Sequence, residues 1–288
     1  GQVAAQLYRN GGDDTSLELF FAGSPDNADE LLARHPGLVV CSVTGFGSGE
    51  GAHLPGYDLV VQAVGGLMSV TGSLESGPTK VGVALVDVIT GLHAVTGILA
   101  ALRHRDRTGE GQRVEVNLLS SLLSAMVNQS SAHAVTGQVP QAMGNVHPSI
   151  APYEVLRTAD RPLAVAAAND KLFGLLAKGV GRPALAQDER FARNSDRVAH
   201  RQVLVAELED VLREEPADHW FEVLSQLGVP CGPINDLGQA FALADRLGLA
   251  PVHEIAETGR APVPTVAHPI TLSRTPATYR TPPPRLPS

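Results

Sequence analysis

The stretch VDVITGLHAVTGILAALRHR, residues 86–105, constrains this chain more than any other. Its apolar residues recur around the whole helical projection, and cations gather at its end, where they complement the helix dipole. A helix apolar on every side is predicted to be buried, with only its C-terminal end reaching water. A second apolar run, LVVCSVTGF at residues 38–46, is rich in β-branched side chains and stops at glycines, as a buried strand of a mostly parallel sheet does. Ahead of it, residues 25–34 (PDNADELLAR) carry acids early and Arg34 late, the charge order of a short helix. After the long helix, the turn RTGEGQ leads into VEVNLLSSLLSAMV, whose alternation gives way to helical spacing, a strand followed by a helix. These steps together predict an α/β fold.

Pro, Gly and Asn cluster over residues 138–152 (QVPQAMGNVHPSIAP), which marks a domain boundary. Beyond it, a strand (LAVAAAN) precedes helices predicted at 170–180, 200–214 and 218–227, a second and smaller α+β domain. The expected division is residues 1–137, 138–237 and 238–288, the last an extended segment returning to the first domain. Its proline-rich end, residues 260–288, reads as a strap.

Several function classes are disfavoured. With 30 acidic against 22 basic residues and 4% aromatics, the chain suits neither a phosphate backbone nor base stacking. Cys41 and Cys231 lie too far apart in sequence to suggest a metal pair or a disulfide framework, and read as bystander thiols. No stretch is read as approaching the ~20 apolar residues that cross a bilayer. The opening GQVAAQLYRNGGDD lacks the pattern of a leader, so the expected compartment is the cytoplasm.

Gly45, Gly47, Gly49 and Gly51 follow a strand but are no dinucleotide fingerprint, because Glu50 interrupts them and Pro55 arrives before a helix can start. GSLESGPTK, residues 72–80, fails as a phosphate loop because Pro78 stands where the lysine belongs. His253 and Glu254 lack the second histidine of a zinc-protease motif, and no serine lies in a nucleophile elbow. No metal site is expected. The cations of RHRDRTG, residues 103–109, are best explained as ending a helix before Gly109, and His93 as a packed core histidine.

Asp87 heads the long helix, and the ordinary reading of such an aspartate is an N-cap whose carboxylate accepts backbone N–H bonds. A carboxylate at the head of an apolar helix, with Gly91 clearing space one turn on, also permits a desolvated nucleophile. Residue pattern leaves both readings open.

Seven motifs in order resemble those of the class III CoA-transferases, which include formyl-CoA transferase, carnitine CoA-transferase and α-methylacyl-CoA racemase. They are PGLVVCSVTGFG, PGYDLVVQAVGGLMSVTG, DVITGLHAVTGILAALRHRDRTGEGQRVEV, GNVHPSIAPYEVLRTAD, DERFARNSDRV, GVPCGPIND and HPITLSRTP. The resemblance implies a Rossmann-like large domain with a smaller α+β domain inserted, two subunits interlocked as a homodimer, and acyl-CoA and small carboxylic acids as substrates. It implies Asp87 as the nucleophile, Pro55, Gly56, Tyr57 and Asp58 as a coenzyme A-contacting stretch, and Gly144 and Asn145 as a substrate-covering loop, here GNVHP in place of a glycine run. Tyr57 stands where the racemase branch carries an acid/base histidine, which favours transfer over racemisation. Relatives carry further strand-helix units at the N-terminus and a last helix at the C-terminus that this sequence is not seen to match. A racemase, or a catalytically silent homologue that needs a partner chain, are the alternative readings.

Overall fold

The computed structural model describes residues 28–73 and 75–284. The leader expectation for the first residues, the start of the helix predicted at 25–34 and the last residues of the strap lie outside them. The chain divides into two compact units, Gly1–Pro148 and Ser149–Ser288, and the division falls within the Pro/Gly/Asn-rich stretch.

The first unit opens with α1 (Ala28–Arg34), with Asp29 and Glu30 in its first turn and Arg34 in its last. The run at 38–46 supplies β1 (Val40–Thr44). Then come α2 (Asp58–Val64), α3 (Leu67–Val70) and a small hairpin of β2 (Gly72–Ser73) with β3 (Gly77–Pro78). The long helix α4 (Leu85–Thr108) ends at Gly109, whose φ of 80° lets its N–H reach the Arg105 carbonyl, the dipole-complementing end expected of RHRDRTG. β4 (Arg113–Asn117) returns parallel to β1, with Val40 opposite Arg113 and Thr44 opposite Asn117. It runs straight into α5 (Leu118–Ala125), whose first turn Asn117 caps by accepting the Ser120 N–H at 2.8 Å. α6 (Val127–Thr136) follows. The α/β reading is therefore correct, and Val61, Val86, Leu118 and Leu122 form the core where α2, α4 and α5 meet.

Two expectations about α4 are corrected. It is not buried all round: Val86, Thr90, Ala94 and Ala101 form its buried stripe, while Val88, Leu92, Val95 and Leu99 are exposed within this unit. Periodicity counts apolar faces but does not say which of them a neighbour covers. By length and composition alone, its 24 residues are also enough to cross a bilayer, a test that the core helix of a globular protein passes as well. Asp87, His93, threonines and glycines interrupt the apolar residues of α4, so no unbroken apolar run marks it in the sequence.

The second unit is built on an antiparallel sheet in which β6 (Leu163–Ala166) lies between β5 (Tyr153–Leu156) and β7 (Cys231–Pro233). Against it lie α7 (Asp170–Gly179), a 3-10 turn at Pro183–Gln187, α8 (Asn194–Ala199), α9 (Arg201–Leu212) and α10 (Ala217–Gln226). Leu156, Leu163, Phe173, Leu204, Leu208 and Leu224 lie in a single apolar core. The segment read as extended instead holds α11 (Leu237–Arg246) and a hairpin of β8 (Val252–Glu257) with β9 (Arg260–Val266), after which residues 267–284 lack regular structure.

Arg197, fully buried, ties this unit together. Its guanidinium donates to the carbonyls of Ala151 (2.7 Å) and Phe191 (2.9 Å) and to Asp170 Oδ1 (2.8 Å), and it lies 4.5 Å from the centre of the Phe173 ring. Arg197→Ala leaves two carbonyls and the Asp170 carboxylate without this partner, and is expected to cost the second unit about 3 kcal/mol or more. Urea unfolding followed by the fluorescence of Trp220, the single tryptophan of the chain, checks this; Arg197→Lys, which keeps the charge but not the fork, should fall between.

Candidate active site

The end of β1 and the start of α2 are brought together by two glycines. A Cβ on Gly45 would stand 2.6 Å from the Gly56 Cα, and one on Gly56 would meet the Gly45 Cα in turn. Only backbone against backbone fits there, so the glycine-rich turn after β1 serves close approach rather than dinucleotide binding. The contact fixes residues 55–58 beside the C-terminal end of a parallel strand. Tyr57, 63% exposed, is the N-cap residue of α2, and Asp58 begins that helix.

Asp58 is turned towards α4. Its Oδ2 accepts the backbone N–H groups of Val86 (2.8 Å) and Asp87 (3.3 Å), and its Oδ1 accepts Gln62 Nε2 at 2.5 Å. Gln62 is 1% exposed, and its Oε1 takes the Val81 N–H at 2.9 Å. The carboxylate of one helix thus caps another, satisfying donors that the first turn of α4 cannot pair internally and placing negative charge at the positive end of its dipole. Sequence reading missed Gln62; the available signal was a lone amide in the apolar run of α2, four residues after Asp58.

Asp87 is consequently not the cap. The N-cap position of α4 is Ala84, which offers no side chain for the purpose, and Asp87 stands in the first turn. Its carboxyl is exposed within this unit, not sunk at the head of a buried helix as expected. Partial burial, and secondarily the negative charge of Asp58, push its pKa above the ordinary value. One turn and a half further along, His93 is also exposed and shares a 3.1 Å hydrogen bond with the buried Ser121 hydroxyl, so the core-histidine reading is corrected too.

Gly144 and Asn145 belong to another part of the unit. Gly144, at a φ of 63°, donates its N–H to the Gly72 carbonyl at 2.7 Å. With Val70, Thr71, Ser73 and Ser76 the two residues line an open cleft of about 460 Å³, and Asp87 is not among its lining residues. The structure therefore joins Asp58 to Asp87 directly and ties the 144–145 loop to the β2–β3 hairpin. Among the described residues no group of three or more His, Cys, Asp or Glu side chains is placed to hold a metal ion.

Residues 27–287 match the model of CoA-transferase family III. The chain is 40% identical to the succinate–glutarate CoA-transferase of Agrobacterium fabrum, over 90% of this chain and 65% of that protein. It is 39% identical to the acetyl-CoA:oxalate CoA-transferase of Acetobacter aceti, over 79% of this chain and 60% of that protein. The chain thus spans less than two thirds of the length of these curated relatives. Among solved structures, a CaiB/BaiF family protein from Brucella suis superposes with a TM-score of 0.75 at 39% identity, covering 90% of this chain and 69% of that one.

Gly56→Ala pushes a methyl group into the Gly45 backbone and is expected to destabilise the first unit by about 1–3 kcal/mol. Hydrogen exchange should then quicken in residues 40–46 and 55–62 while the strands of the second unit keep their protection.

Proposed function

The chain belongs to CoA-transferase family III, and we propose from this that it transfers coenzyme A between carboxylic acids through covalent intermediates on Asp87. The observation that carries this reading is the division of labour at the head of α4. Asp58 supplies the cap, so the Asp87 carboxylate does not spend its lone pairs on the helix N-terminus and remains exposed for attack.

In the proposed cycle, an Asp87 oxygen attacks the thioester carbonyl of an acyl-CoA and expels the CoA thiolate, leaving a mixed anhydride. The thiolate attacks the aspartyl carbonyl of that anhydride, the first acid departs as its carboxylate, and an aspartyl-CoA thioester remains. A second carboxylate attacks this thioester, expels the thiolate and forms a new anhydride. The thiolate then takes the new acyl group and returns Asp87 as a carboxylate. Each step exchanges one acyl bond for another, so the free energy of the thioester is kept only while water is held off.

Residues 55–58 take part in holding coenzyme A, and Gly144 and Asn145 in covering the intermediates. Oxalate, succinate and glutarate, named for the similar enzymes, are small dicarboxylates, and acids of that class are the proposed donors and acceptors. Tyr57 in place of an acid/base histidine supports transfer over racemisation, since a phenol is a poor substitute for an imidazole in moving an α-proton at neutral pH. An interlocked homodimer, the return of residues 238–288 to the large domain, a cytoplasmic location, and no part for metal, nucleic acid or membrane complete the proposal.

Intact-protein mass spectrometry with hydroxylamine trapping tests it. Incubation with acetyl-CoA, oxalyl-CoA, succinyl-CoA or glutaryl-CoA should give an adduct on Asp87 that Asp87→Ala abolishes. A folded protein that forms no adduct with any of them would instead support the silent or partner-dependent reading.

A further inference from the structure

Resting on the reading of Asp87 as the nucleophile, we propose that Asp58 is a positioning residue, which caps α4 from the neighbouring helix and so fixes the backbone from which Asp87 projects. Its two oxygens accept three N–H groups, and two of these belong to Val86 and to Asp87 itself. Gln62, one turn along α2, holds the other side of the same connection. It accepts from the Val81 N–H at 2.9 Å, and its Nε2, besides reaching Asp58, stands 3.5 Å from the Val83 carbonyl. Two side chains on adjacent turns of α2 therefore clamp residues 81–87, the stretch that delivers the chain into α4.

The clamp has no substitute on α4. Ala84 at the N-cap position carries no polar side chain, so without Asp58 the first-turn N–H groups must turn to water and the first turn is free to fray. A carboxyl group carried on that turn moves with it. Small displacements of a reacting group are costly, because its orientation toward the thioester carbonyl is part of the rate.

The assignment leaves the hold on coenzyme A to the other groups of residues 55–58, the Asp58 backbone included, and gives the Asp58 carboxylate a different task. A negative side chain already engaged with three donors is a poor ligand for the phosphates of an anionic substrate. Its charge instead acts on Asp87. Other titratable groups on the surrounding elements are Tyr57 before α2, Lys80 in the connection to α4, Cys41 on β1, His93 and the C-terminal Arg103, His104, Arg105, Asp106 and Arg107 on α4, and Arg113 and Glu115 on β4; α3 and α5 carry none. Of all these, Asp58 is the one whose charge perturbs the ionisation of Asp87.

The experiment follows the Asp87 carboxyl by carbon-13 NMR in the full chain, assigned with Asp87→Asn, in wild type, Asp58→Asn and Gln62→Ala. Asp58→Asn removes the charge but keeps one carbonyl acceptor, and is expected to move the Asp87 titration to lower pH. Gln62→Ala keeps the charge and loosens the clamp. It should leave the titration of Asp87 closer to wild type while the amide signals of Val86 and Asp87 shift. With whichever acyl-CoA labels the wild type, Asp58→Asn should slow adduct formation at saturating donor by roughly 10- to 100-fold, with little change in the half-saturating concentration. Amide signals of Val86 and Asp87 identical in wild type and Asp58→Asn overturn the proposal. So does a raised half-saturating concentration with an unchanged saturating rate, which would make Asp58 a direct coenzyme A ligand. If the amide signals of Val86 and Asp87 shift in Asp58→Asn but wild type forms no adduct, Asp58 still fixes the start of α4, and it is the nucleophile reading that fails.

Discussion

A helix that begins without a capping side chain of its own is the constraint around which the first unit is arranged. The leading N–H groups of α4 cannot be paired within the helix, and at a packed helix start such donors are costly to leave unmet. The solution here is a carboxylate sent across from α2, steadied by a buried amide one turn later. This requires α2 to begin where it does, and its place is set by the contact of Gly45 with Gly56 at the end of β1. Strand, turn, helix and helix start are thus connected through a few hydrogen bonds and one steric contact, and the chemistry proposed for Asp87 lies at the last link.

The second unit meets a similar difficulty by other means. Arg197 satisfies carbonyls from Ala151 and Phe191, while Asn194 bonds both the Ser149 carbonyl and the Ala151 N–H, so that α8 fastens the segment entering β5. Nearby, burial raises the Glu209 carboxyl, but the hydrogen bonds and charges of Arg157 and Arg213 outweigh this and hold it below its ordinary value. These polar groups serve the architecture, which gives the motifs DERFARNSDRV and GNVHPSIAPYEVLRTAD a physical purpose apart from any substrate.

What the sequence made legible was local. The charge order of α1, the β-branched run of β1, the Gly109 ending of α4 and the helices α7, α9 and α10 all follow from preferences acting within a few residues. What stayed hidden depends on distance or on neighbours. Asp58 and Val86 are separated by 28 residues, and nothing in either stretch announces the bond between them. The exposed side of α4 and the exposure of His93 reflect which faces are covered, a property of packing and not of pattern. The proline-rich residues 260–288 read as a strap, yet Pro262 and Pro264 lie in β9, which among the described residues pairs with β8 alone, and an edge strand tolerates residues that donate no N–H. For the candidate site, the resemblance of the motifs suggested the residues, and only the structure showed that Asp58 caps the helix that carries Asp87.

The meeting of Gly45 with Gly56 has a consequence for how this chain can vary. Crowding between two side chains can ordinarily be relieved by trimming the partner, so that one substitution opens the way for a second. Here each partner is already the smallest residue there is, and the clash of a new Cβ is with backbone. No change of residue type at one position can therefore make room for a side chain at the other. Suppressors of a lesion at either glycine would have to act by moving a whole segment, and the pair should remain fixed while the residues around it drift.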